Sequence, residues 1–221
     1  YEILRCLVGS EMCIRDSKGG VFNAGSAGYI NGDMHCGYQV LHSIPAWRGG
    51  QADFMPQAPG QVVQHVSAHD NYTLWDKLSV SCPEASEEKK KAMNRLCAAI
   101  VFTSQGVPFI QAGEEFLRSK PLPEKKGFAE NSYNMPDAVN SIKWDNIHEY
   151  PDMIAYYKGL MALRKAHPVF RMQSEAEMTQ NLCFLSDTPE NVVAYLLKGK
   201  GADDTPENIC LLYTSDAADE L

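Results

Sequence analysis

The hydrophobic pattern of this 221-residue chain becomes regular at Gln61. Val62, Val63 and Val66 form a short apolar run that predicts a buried strand. Ser86 is placed to cap a helix, and Glu87 and Glu88 suit its first turn. Met93, Leu96, Cys97, Ile100 and Val101 then recur at helical spacing on one face. Gly106 ends that helix. Val107, Pro108, Phe109 and Ile110 make a second apolar run, with proline at its start, where a missing amide is tolerated. Strand, helix and strand with short joins predict a βαβ unit, so the two strands should be parallel neighbours.

The pattern is weaker on either side. Residues 18–60 are rich in glycine, proline and small polar residues, and they predict a long irregular region with one short helix near residues 38–43. A loop of that length is either functional or the remnant of a larger layout. Residues 116–150 are irregular again. Pro151 suits a first helical turn, and Ile154, Tyr157, Leu160, Met161 and Arg164 continue the helix to His167 and Pro168. After residue 172, residues 182–185 and 192–197 predict two antiparallel strands around a turn-rich stretch, the start of a small β domain. Residues 1–17 and 210–221 look like translated sequencing-adapter sequence and are expected to stand outside the fold, the alternative being a genuine strand over residues 210–213.

Composition narrows the function classes. The net charge of −8 disfavours phosphate backbones, so nucleic acid is not an expected partner. Neutral polymers such as glucans remain open. No apolar run is long enough to predict a membrane span. The seven cysteines are scattered and form no CxxC pair, which argues against zinc and for a reducing, cytoplasmic compartment. The six histidines show no metal-ligand spacing. GxxxxGK[ST], GxGxxG and GxSxG are all missing, so nucleotide and serine-hydrolase chemistry have no anchor.

Two polar clusters follow the predicted strands: His69, Asp70 and Asn71 after the first, and Gly113, Glu114 and Glu115 after the second. In a parallel sheet both open onto one face, the face that carries active sites in α/β folds. A histidine and a carboxylate at a strand exit can bind sugar hydroxyls and stabilise positive charge on a ring. They can equally form a structural hydrogen-bonding pair. Adjacent carboxylates repel, so one of Glu114 and Glu115 can carry a raised pKa; the alternative is one solvated glutamate and one held by an amide or arginine. Among aromatics, Tyr72, Trp75, Phe116, Tyr133 and Trp144 could stack on sugars, Tyr133 best, with Trp75 expected to pack inside.

Four stretches, VSAHDNYTLWDKL, SQGVPFIQAGEEFLRSK, NSYNMPDAVNSIKWD and YYKGLMALRKAHPVFRM, resemble the type I pullulanases of the alpha-amylase superfamily in order and approximate spacing. The resemblance covers roughly residues 20–209. It implies an α/β fold: the C-terminal part of an eight-stranded β/α barrel over residues 18–172, then the start of an all-β sandwich domain over residues 173–209. It also implies retaining hydrolysis of α-1,6 branches in pullulan, starch or glycogen, and hence a branched α-glucan partner. His69 would bind sugar hydroxyls, Asp70 would stabilise the oxocarbenium-like transition state, and Asn71 would shape the same subsite. Glu114 and Glu115 would support the site, and Asn134 and Asp137 would contact substrate. No cofactor is implied, and calcium is left open for the intact enzyme. The family's nucleophile and acid sit in G-F-R-x-D and G-E-G-W type motifs, and neither motif occurs in the chain. The chain alone is therefore expected to lack hydrolase activity and, with part of a barrel, to expose edge strands and aggregate. Two other readings stand beside it: a non-catalytic carbohydrate-binding or scaffold protein, and a superfamily enzyme acting on α-1,4 bonds.

Overall fold

A computed structural model gives the fold at residues 8–9, 18–19, 23–46, 56–201 and 203–215. Of the two chain ends expected to stand outside the fold, residues 1–7, 10–17 and 216–221 lie outside the described residues, whereas Val8–Gly9 and residues 210–215 are part of the fold. Val8–Gly9 (β1), Val62–Gln64 (β2) and Val107–Pro108 (β3) form a parallel sheet in the order β1-β2-β3. Val63 pairs with Val107, which is the parallel neighbour relation that the βαβ pattern predicts. Val66 is buried just past the β2 ladder, and Phe109 extends the β3 pairing through its N–H to the Gln64 carbonyl.

Helices precede and follow these strands along the chain. Gly37–Ser43 (α1) is the short helix expected in the irregular region. Leu74–Ser81 (α2) was not expected. Its signal is a cap: the Thr73 hydroxyl accepts from the Asp76 N–H, a T-x-x-D start. Glu87–Thr103 (α3) begins as predicted, with the Ser86 side chain accepting from the Lys89 N–H. Met93, Cys97, Ile100 and Val101 enter the main core with Tyr29, Leu74 and Phe170. The spacing showed only that face. Ala98 and Phe102 form a second one, packed with Leu117, Met153 and Tyr157. Two short turns, Asp137–Asn140 (α4) and Asn146–Glu149 (α5), lead into Pro151–Ala166 (α6). The inner face of α6 carries Met153, Tyr157 and Arg164, whereas Met161 is exposed. Positions 153, 157, 160 and 164 make one stripe, and 161 falls off its edge.

The chain then turns through Glu175–Asn181 (α7) into an antiparallel sheet of Leu182–Phe184 (β4), Val192–Lys200 (β5) and Pro206–Thr214 (β6). The two strands predicted around the turn-rich stretch are β4 and β5, paired Leu182 to Leu197 through Phe184 to Tyr195. β6 runs through residues 210–214, as the alternative reading of that stretch had it, and Tyr213 is buried in the main core. The antiparallel sheet meets α3 at Thr103. Tyr195 Oη donates to the Thr103 carbonyl, and the hydroxyls of Tyr195, Tyr213 and Thr103 share hydrogen bonds. Tyr29 Oη donates to the carbonyls of Asn191 and Tyr213 at 2.7 and 3.0 Å.

The turn from α3 into β3 depends on Gly106. Its φ is +99°, and a Cβ would lie 2.8 Å from the Val62 carbonyl oxygen. G106A is therefore expected to lower stability by about 1–3 kcal/mol, read as a drop in the urea midpoint. An unchanged midpoint would mean that β2 yields to the methyl group.

Candidate functional site

β2 delivers the chain into residues 67–71. Ser67 is buried, and its hydroxyl donates to the Glu114 carboxylate. His69 and Asp70 then emerge into solvent, with His69 Nε2 3.5 Å from Asp70 Oδ2. Asn71 closes the turn at φ +61°, a left-handed conformation that asparagine tolerates better than most residues. Thr73 starts α2 directly afterwards.

β3 delivers the second cluster. Gly113 lies at φ +94°, with an imagined Cβ 3.0 Å from that of Arg118, so glycine is required there. Glu114–Phe116 forms a 3-10 turn that separates the two glutamates. Glu115 accepts from the Gly113 N–H at 3.0 Å, which is the amide-held role left open for one of the pair. Glu114 is buried and faces Ser67 and, at 3.4 Å, the Tyr157 hydroxyl, which also donates to Asn94 Oδ1 at 2.9 Å. Burial pushes its carboxyl up to about 7, against the pull of the Ser67 bond and the nearby Lys18 ammonium. Burial in turn draws Lys18 down to about 8. The raised pKa expected for one of the two carboxylates therefore falls on Glu114, and its cause is desolvation rather than repulsion by Glu115.

The segment after β3 links the clusters. Lys120 is buried; its ammonium donates to the Asn71 carbonyl and, at 3.1 Å, to the Glu130 carbonyl. Its N–H donates to Asp76 Oδ2 at 2.8 Å, and Ser119 Oγ donates to the other carboxylate oxygen. Arg118 reaches the other way, from Nη1 to the Ala112 carbonyl at 3.1 Å and from Nη2 to the Asn140 carbonyl at 2.9 Å. Asn140 holds the preceding loop through the Ser132 and Met135 carbonyls. That loop carries Asn134 and Asp137, both exposed. The post-β3 segment thus bonds to the loop of His69, Asp70 and Asn71 on one side and to the loop of Asn134 and Asp137 on the other. No hydrogen bond joins those two loops directly among the described residues.

The aromatic candidates divide. Tyr133 is 81 % exposed and Trp144 63 %, whereas Phe116 is buried with its ring 5.9 Å from that of Trp144. Trp75 packs against the second core cluster, as expected. Lys120, Asp76 and Arg118 were missed from the sequence because their partners are distant in the chain. The only local signal was the polar run R-S-K directly after an apolar turn. Among the described residues no group of three or more histidine, cysteine, aspartate or glutamate side chains is placed to hold a metal ion. No helix among them is long and apolar enough to cross a membrane.

Comparison with known proteins places this geometry. No protein-family model matches the chain. The pullulanase of Bacillus subtilis (strain 168) is 35% identical over 198 residues, covering 89% of this chain and 26% of that protein. The solved structure of pullulanase from Bacillus acidopullulyticus superposes with a TM-score of 0.85 at 37% identity, over 94% of this chain and 24% of that one. The pullulanase from Paenibacillus barengoltzii in complex with maltohexaose and alpha-cyclodextrin superposes at 0.86 and 36% identity, over 95% of this chain and 32% of that one. The chain thus spans about a quarter to a third of the length of these relatives.

Proposed function

We propose, from the premise that the chain belongs to the pullulanase family, that it supplies half of the active site of a glycoside hydrolase that cleaves α-1,6 branches in pullulan, starch or glycogen. In this reading residues 18–172 are the C-terminal part of an eight-stranded β/α barrel, and β2 and β3 are its last two strands. Residues 173–209, which include α7 and most of the antiparallel sheet, begin the β-sandwich domain. The observation that carries the reading is the exposed His69 and Asp70 pair at the C-terminal end of a parallel strand, anchored from below by Glu114.

The chemistry follows from charge. Glycosidic cleavage with retention passes through an oxocarbenium-like transition state flanked by two carboxyl groups. Asp70, held outward by its turn, is the carboxylate that stabilises the positive ring, and its effect grows once substrate excludes water. His69 binds ring hydroxyls and orients the sugar. Asn71 shapes the same subsite, and Asn134 and Asp137 contact substrate from the neighbouring loop. Glu114 and Glu115 act from beneath: one fixes Ser67 and the other its own turn. The attacking carboxylate and the proton donor come from segments outside this sequence, which lacks both motifs.

A hybrid enzyme tests this. Residues 62–201 replace the matching part of Bacillus subtilis pullulanase, and products are resolved by chromatography. Pullulan is expected to release maltotriose, and D70N in the hybrid is expected to lower kcat on the order of a hundredfold or more. Cleavage of linear amylose with no release from pullulan would sink the α-1,6 assignment. An unchanged kcat in D70N would remove Asp70 from the site.

A further inference from the structure

The loop that carries His69 and Asp70 is fixed at both of its ends by one segment. At its start, the buried Ser67 hydroxyl is bonded to Glu114. At its end, the Asn71 carbonyl is bonded to the Lys120 ammonium. Only Ala68, His69 and Asp70 lie between the two anchors. Lys120 is itself immobilised: its N–H is tied to Asp76, a wholly buried carboxylate, and its ammonium also takes the Glu130 carbonyl. Its side chain is almost wholly buried, unusual for a lysine unless the charge is satisfied. Burial draws its pKa down, while Asp76, Asp70 and Glu130 oppose that and Arg118 adds to it.

A hydrogen bond to a peptide carbonyl fixes the plane of that peptide. The Asn71 carbonyl plane sets ψ of a residue already held at φ +61°, a conformation disfavoured by any side chain with a Cβ. Without the ammonium, Asn71 is free to return to a right-handed or extended backbone, and the peptide between Asp70 and Asn71 rotates with it. We infer that Lys120 is a positioning residue, whose ammonium holds the left-handed Asn71 turn and thereby aims the Asp70 carboxylate at the sugar. This rests on the reading of residues 69–71 as a sugar subsite.

The full 221-residue chain, isotopically labelled, is titrated with maltohexaose while the Asn71 amide and His69 ring are followed by NMR. K120M keeps the length of the side chain and removes its donors. It is expected to displace the ligand-free Asn71 resonance and to weaken maltohexaose binding roughly tenfold, as befits a charge-assisted bond. K120R, which restores a charged donor, is expected to recover most of both. A K120M chain that loses only melting temperature, with the Asn71 resonance and affinity of the parent, overturns the inference. Should K120M fail to fold, K120Q decides by the same readouts, since its shorter neutral amide cannot reach both carbonyls; an unmoved Asn71 resonance there is equally fatal. If the parent chain does not bind maltohexaose, the subsite reading falls, and the ligand-free Asn71 resonance alone decides whether Lys120 positions the turn.

Discussion

Replacing Arg164 by methionine is expected to cost the chain about 3–5 kcal/mol of stability, at about 1–3 kcal/mol for each buried carbonyl left without its donor, a large share of the roughly 5–15 kcal/mol available to a domain. The last carbonyls of a helix have no partner within it. At the end of α3 the guanidinium of Arg164 supplies that partner. Nη1 donates to the carbonyls of Phe102 and Ser104 at 2.8 and 2.7 Å, and Nη2 to that of Gly106 at 2.6 Å. Burial lowers its pKa to about 10, still far above neutrality, so the group stays charged. Methionine fills the volume and leaves three carbonyls without a donor. The same carbonyls lie at the turn that sends the chain into β3 and so towards Gly113 and Glu114. Urea titration measures the loss, and R164K is expected to retain part of the stability, because an ammonium has charge but no planar fork. A loss below about 1 kcal/mol in R164M would mean that water replaces the guanidinium at these carbonyls.

The second large effect depends on pH. Glu114 has a carboxyl pushed up to about 7 in the folded chain, from an ordinary 4.5. Between these values the unfolded chain has released a proton that the folded chain still holds. The stabilising contribution is therefore complete below the lower value and is lost as pH rises through the upper one. The full swing is on the order of 3 kcal/mol. E114Q cannot ionise, so its stability should not fall with the parent's over this window. The difference between the two chains, read from urea midpoints between pH 5 and 7.5, is expected to grow steadily in favour of E114Q. Keeping below pH 8 avoids Lys18, whose lowered pKa acts with the opposite sign at more alkaline pH. Parallel curves for parent and variant would show that Glu114 is ionised throughout and that a neighbour compensates its burial.

Much of the fold was legible where the signal is local. Ser86 with Glu87 and Glu88 marks a helix start, Pro151 marks another, and the apolar runs at Val62 and Val107 mark strands, so the βαβ unit could be read before any coordinates. Helix α2 was overlooked because its apolar stripe is short, although Thr73 and Asp76 carry its cap. The second face of α3 was hidden for a different reason: a helix covered on two sides shows a blurred period, and Ala98 and Phe102 read as background. The site was legible as two clusters on one sheet face. What joins them was not. Lys120 meets a carbonyl 49 residues away, and Arg164 meets carbonyls about 60 residues away. A lysine in a string of polar residues looks like a solvated one until the fold brings its partners. The split between Glu114 and Glu115 also needed the 3-10 turn, which sends adjacent carboxylates to different surroundings.

The bond between Tyr29 and Tyr213 spans 184 positions in sequence. Contacts of that separation are closed late, because the entropy of bringing the ends together is spent before the bond is formed. In a chain made from its N-terminus, the helices of the βαβ unit can form while synthesis continues. Tyr29, whose hydroxyl and carbonyl are satisfied by Asn191, Tyr213 and Ser215, has to wait for β6 and the residue after it. β6 is therefore the latch that closes the core around Tyr29.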